Sequence, residues 1–231
     1  MMQGSSRFTP KRITLAMVGI FLVCIGVAFN NNTDLGNDPV GIIYDGIRAT
    51  FNVPRINLGM VSNFINIGLL VLLFIVGRHY ANIGSLMYLI PYGFFVLLGS
   101  HLYVACFPAN TMWQRALGGV IGISLYYLGI SLFICADIGV DPFSGFMLTI
   151  RDHTHWSVRR TKITFDVVLI MIGILLGGKF GIITIVAVCT TGPAIQFLSE
   201  KFQRLFNIKE AWINIWKLGC NNQLKLSLNM I

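Results

Sequence analysis

Of the 231 residues, 55% are hydrophobic and only 11% are charged, whereas a soluble domain carries about 25% charged residues, so the composition excludes an ordinary soluble globule and points to a bilayer. The formal charge of +8 comes from 17 Lys and Arg against nine Asp and Glu. These cations lie between and beyond apolar segments rather than on one basic face, which argues against nucleic acid as a partner.

A hydrocarbon core about 30 Å thick needs about 20 apolar residues per helical span, so a chain of this length with short loops holds roughly five to seven spans. The first 12 residues carry Arg7, Lys11 and Arg12, and an apolar run follows at 13–30. That start resembles a secretory leader, with Gly26, Val27 and Ala28 as a small-residue cleavage site, but the run is too long and its design recurs mid-chain, so it is read as a retained span. Further runs lie at 58–77, 83–107, 117–136, 163–177 and 181–198. Six spans put thirteen cations on the side of the N-terminus and four (Arg48, Arg55, Arg115 and Lys179) on the other. This bias places both termini in the cytoplasm.

After the first span comes Asp34-Leu35-Gly36-Asn37-Asp38-Pro39, and 103 residues later, after the fourth, comes Asp137-Ile138-Gly139-Val140-Asp141-Pro142. The spacing sets Asn63 opposite Asp166, and Pro91 and Gly93 fall near Gly192 and Pro193. The expected fold is an all-α membrane protein of six transmembrane helices arranged as two inverted three-helix repeats, 13–107 and 117–198, with an external loop at 108–116. An odd number of spans per unit makes the second repeat enter the membrane from the opposite side, an architecture frequent in transporters.

In each motif the second Asp suits the cap of a helix and the Pro its first position, where no N–H is missed. A short helix is therefore expected after each first span. It is either a re-entrant half-helix with its positive end aimed at a solute or an amphipathic interfacial helix that links two spans. Pro91 with Gly93, and Gly192 with Pro193, either interrupt the third and sixth spans, paired interruptions that point to a midplane site, or simply shape helix packing. Thr190 and Thr191 offer hydroxyls there. Asp166 is the one acidic residue inside a span; it is either a proton carrier or half of an i, i+4 ion pair with Lys162. The candidate substrate-binding set is thus Asp34, Asp38, Asn63, Pro91, Asp137, Asp141, Asp166, Thr190, Thr191 and Pro193.

No catalytic residue, cofactor or metal is assigned. His101 reads as interfacial, His153 and His155 lack a ligand cluster around them, and the chain holds no P-loop, GxSxG or HExxH. The five cysteines (Cys24, Cys106, Cys135, Cys189 and Cys220) form no CxxC pair and read as packing residues. Residues 199–231 form a tail in which Phe202, Leu205, Phe206, Trp212, Ile213 and Trp216 alternate with Lys201, Arg204, Lys209 and Lys217, a pattern that suits a cytoplasmic interfacial helix.

The paired D-[LI]-G-x-D-P turns, with 176–181 (Leu-Gly-Gly-Lys-Phe-Gly) and 190–193 (Thr-Thr-Gly-Pro), resemble the bacterial YczE/YitT-like integral membrane proteins, nearest the YczE-like branch, over roughly 13–205. The resemblance implies a location in the bacterial cytoplasmic membrane and assigns no substrate or site residue. The functional expectation is a secondary transporter of a small solute, with lipid as the other partner; a non-transporting scaffold or regulator is the alternative, and a membrane enzyme a distant third. Oligomeric state is not determined by the sequence. Single cysteines at Arg55 and Arg159 should react with an impermeant thiol reagent from opposite sides of the membrane; labelling from one side would defeat the inverted arrangement.

Overall fold

A computed structural model of the chain describes residues 9–206. These form eight α-helices: α1 (Pro10–Thr33), α2 (Pro39–Thr50), α3 (Leu58–Val76), α4 (Ile83–Cys106), α5 (Met112–Ala136), α6 (Pro142–Thr154), α7 (Val158–Leu175) and α8 (Ile182–Phe206). A 3-10 turn, Arg55–Asn57, precedes α3, and no strand occurs among the described residues. The order long, short, long, long runs twice.

Local chemistry accounts for the helix starts. Asp38 accepts from the Val40 N–H at 3.2 Å and Asp141 from the Ser144 N–H at 3.0 Å, with Pro39 and Pro142 in the first helical positions, as the paired motifs predict. α5 begins five residues before the apolar run at 117, because Thr111 and Gln114 close a capping box. The expected loop at 108–116 is correspondingly short. α4 and α8 run unbroken through Pro91 and Pro193, which corrects the expectation of interrupted spans. α8 also continues past 198 to Phe206, so Phe202, Leu205 and Phe206 extend the last long helix rather than start a separate one. Lys209, Trp212, Ile213, Trp216, Lys217 and Cys220, like Arg7, lie outside the described residues.

Among the described residues, five helical segments are long and apolar enough to cross a membrane: Pro10–Thr33, Arg55–Val76, Ile83–Cys106, Met112–Ala136 and Ile182–Phe206. α7 has 18 residues, but Arg159, Arg160, Lys162 and Asp166 crowd its first half. Large apolar side chains such as Phe64, Ile75, Ile90, Phe94, Met171 and Leu175 are exposed on α3, α4 and α7, a surface suited to lipid contact.

Lipid tails are as apolar as leucine, so helices in a bilayer associate through close packing and polar contacts rather than by escaping water. α1 and α5 form the main interface, antiparallel, with α4 on α1, α8 on α5, α2 on α7, and α3 on both α4 and α6. Glycines set the approach of α1 to α5: a Cβ on Gly26 would lie 2.6 Å from the Gly122 carbonyl oxygen, and one on Gly19 would lie 2.8 Å from that of Gly129. Backbone therefore touches backbone at two points. Gly26→Ala should lower stability by about 1–3 kcal/mol, the usual cost of overpacking, whereas Gly68→Ala, with nothing within 4 Å of its added carbon, should not; thermal unfolding in detergent compares them.

Candidate functional site

The two D-[LI]-G-x-D-P segments turn the chain back against the long helices. Asp34 and Asp137 end α1 and α5 in the left-handed conformation. Gly36 follows at φ +101° against the backbone of Gly181, where a side chain would be strained and would also collide. Asn37 then donates through Nδ2 to the Val27 carbonyl at 3.3 Å, while its backbone N–H donates to Thr184 Oγ1 at 3.2 Å. Val27 lies six residues before the end of α1, so the start of α2 is set back about 9 Å along that helix. The second segment is held in a matching way: Ser85 Oγ donates to the Val140 carbonyl at 2.6 Å, and Gly139 packs on Gly84.

Both short helices consequently reach the middle of the molecule. Tyr44 of α2 meets Phe143 of α6 at 5.7 Å between ring centroids and Tyr92 of α4 at 5.9 Å. Tyr88 stacks on Tyr92 and Phe133, each at 5.2 Å. Tyr44, Tyr88, Tyr92, Phe133, Phe143 and Cys24 are all buried. Tyr44 donates to Asn66 Oδ1 at 2.8 Å, and the Asn66 amide Nδ2, also buried, has no hydrogen-bond partner. The carboxylates of Asp38 and Asp141 both act electrostatically on the Tyr44 hydroxyl. α2 is enclosed from Pro39 to Gly46 apart from Val40, with Asp45 buried among protein groups, so it has no freely solvated polar face of the kind a plain interfacial helix presents.

The first Asp of each motif lies elsewhere, at one end of the α1–α5 pair. Asp34 is joined by Arg55, by Lys179 at 2.8 Å and by Arg115 at 4.0 Å. Asp45 pairs with Arg48 at 2.8 Å and accepts from the Lys179 N–H at 2.9 Å. All four cations expected on the minority side thus gather around two carboxylates. A pocket of about 10 Å³ lies there, between Asn31, Asp34, Asn37, Asp45 and Lys179, room for about one water. Burial alone would raise the Asp34 pKa, but Arg55 and Lys179 outweigh it and hold the carboxyl below its ordinary range. At the opposite end Asp137 pairs with Arg12 at 3.3 Å.

The remaining candidates are held by contacts of their own, with Lys162 and Asp166 within electrostatic reach of Asp38. Asn63 accepts from the Gly93 N–H at 3.0 Å and braces α3 on α4 beside half-buried Pro91. Lys162 donates to both oxygens of Asp166, at 2.5 and 2.6 Å, the ion pair that the i, i+4 spacing allows. Thr190 shares a 2.5 Å hydrogen bond with Tyr127 on α5, Thr191 lies next to it, and Pro193 is exposed. Asn63 and Thr190 make interhelical contacts and Asp166 an ion pair within α7, rather than one pocket with Asp38 and Asp141. Sequence reasoning missed the aromatic centre, whose only signal was the apolar face of the two short helices, and it missed Asn66. No group of three His, Cys, Asp or Glu side chains converges as a metal site among the described residues.

A helical, multi-pass membrane protein is the class that these features define. The family model described as a family of unknown function, DUF6198, matches residues 10–200, and the chain belongs to that family. It is also similar to an uncharacterized protein of Haemophilus influenzae, 24% identical over 198 residues that span 86% of this chain and 88% of the relative. No solved structure matches.

Because the folded Asp34 carboxyl titrates below its ordinary value near 3.8, its contribution to stability is complete above that value and is lost as pH falls through the lower folded one. Asp34→Asn should therefore unfold at a lower temperature than the parent near neutral pH, and the gap should close as the solution is acidified below about 3.8. A gap that persists unchanged in acid would show that the cations do not hold the turn through this carboxylate.

Proposed function

We propose that the chain is a secondary transporter of a small solute in the bacterial cytoplasmic membrane, with α7 as a sixth span, both termini cytoplasmic, and the halves related as inverted repeats. This reading keeps the resemblance to YczE/YitT-like proteins. The interhelical contacts support it through their offset. Arg12 and Arg115, Asp34 and Asp137, Gly19 and Gly122, and Gly26 and Gly129 are each 103 residues apart. The pair Arg12–Asp137 is thus exchanged for Arg115–Asp34, and Gly19–Gly129 for Gly122–Gly26. A pseudo-two-fold axis between α1 and α5 produces that exchange.

The observation that carries the transport reading is the meeting of α2 and α6 at Tyr44 and Phe143, beside a buried amide donor on Asn66 that has no partner. Native proteins pair nearly all buried polar groups, so an unpaired donor at the convergence of two half-helices suits a solute that arrives there. Tyr44, Tyr92 and Phe143 close the centre, and access requires their rings to part. Asp38 and Asp141 act as helix caps that position α2 and α6, and the role assigned is not enzymatic. The filled aromatic centre also favours a second reading, a scaffold whose core never opens.

Cys24 distinguishes the two, because it is fully buried in the same core cluster. With Cys106, Cys135, Cys189 and Cys220 changed to serine, a small impermeant methanethiosulfonate reagent applied to proteoliposomes should modify Cys24 slowly, as the centre opens to water. Complete protection from both sides over hours, in a protein that stays folded, would leave the scaffold.

A further inference from the structure

The two halves differ in how their last two long helices pack. α3 lies along α4, with Gly59 against Gly93 and Asn63 bonded across the seam. α7 and α8 have no comparable interface, and nothing lies within 4 Å of a carbon added at Gly192. α7 also carries an exposed apolar stripe, Ile163, Val167, Met171 and Leu175. The stripe is about 18 Å long, slightly more than the depth of one leaflet's hydrocarbon, about 15 Å.

The head of this stripe is polar and cationic. A depression of about 270 Å³ is lined by Ser157, Arg159, Arg160, Ile163 and Thr164. Neither arginine has a carboxylate partner among the described residues, while the Arg160 guanidinium stacks on Trp156 at 4.4 Å from the ring centroid. Tryptophan with arginine suits the headgroup level of a membrane, and a planar guanidinium matches a phosphate group in two hydrogen bonds. Two unpaired cations, two hydroxyls and a lipid-length apolar track on one helix face define a single complementary ligand.

We propose that the start of α7 binds an anionic phospholipid. Its phosphate rests on Arg159 and Arg160 with the hydroxyls of Ser157 and Thr164, and its acyl chains lie along Ile163, Val167, Met171 and Leu175. The site depends on α7 being a span but not on transport. Unlike general attraction of a basic surface to anionic lipid, it is specific to these two arginines.

Native mass spectrometry of the full chain in detergent tests it, with phosphatidylglycerol and phosphatidylcholine of identical acyl chains as probes. Phosphatidylglycerol should be retained in preference, and Arg159→Gln with Arg160→Gln should weaken its binding about 30-fold, while Lys201→Gln keeps the parent's affinity. Arg159→Gln alone, at an exposed position, should lose part of the preference and covers the case in which the double variant does not fold. Equal retention of the two lipids, or an unchanged preference in the folded variants, overturns the proposal. Displacement of the lipid by millimolar inorganic phosphate also overturns it and leaves a free-anion site.

Discussion

The close antiparallel contact of α1 with α5 is the constraint from which the rest of the structure follows. Inside a bilayer the hydrophobic effect does not drive one helix onto another, and dispersion falls off steeply with distance. Gly19, Gly26, Gly122 and Gly129 remove the side chains that would hold the two backbones apart. Their spacing also puts the end of each helix beside the start of the other, which is why Arg12 meets Asp137 and Arg115 meets Asp34.

Everything next in the chain is placed from those two ends. Irregular backbone is tolerated at membrane depth only where protein satisfies its polar groups, and here Asn37, Thr184 and Ser85 do so at the two turns. The turns send α2 and α6 inward, where their aromatic residues fill the space left by the glycine contact. The charged groups are segregated accordingly. Asp34 and Asp137 hold the ends with arginine and lysine, whereas Asp38 and Asp141 spend their charge on the helix starts. Arg55, Arg115 and Lys179 gather on Asp34 at one end, and Arg12 meets Asp137 at the other.

The helices were legible because their causes are local. Apolar runs near membrane thickness marked the long elements, with errors of five residues at the starts of α5 and α7 and eight at the end of α8, and Asp-Pro marked α2 and α6. Errors fell where a neighbour outweighed the local signal. Pro91 reads as a break, yet α4 continues past it with Asn63 of α3 bonded to Gly93. Thr190 and Thr191 read as cavity hydroxyls beside a break, yet α8 packs on α5 and turns them to Tyr127. The apolar positions of α2 were visible, but that they pack on α7 and α3, with Tyr44 reaching Phe143 of α6, was not.

By itself the sequence determined the membrane class, the long and short elements with their caps, and a D-[LI]-G-x-D-P motif that recurs at an offset of 103 residues, since composition, periodicity and helix capping act between residues near in the chain. Only the tertiary structure decided which candidates come together. Which side chains reach the centre depends on how closely α1 and α5 approach and on the direction the two turns take. Both depend on contacts between residues a hundred positions apart, and no local pattern encodes them.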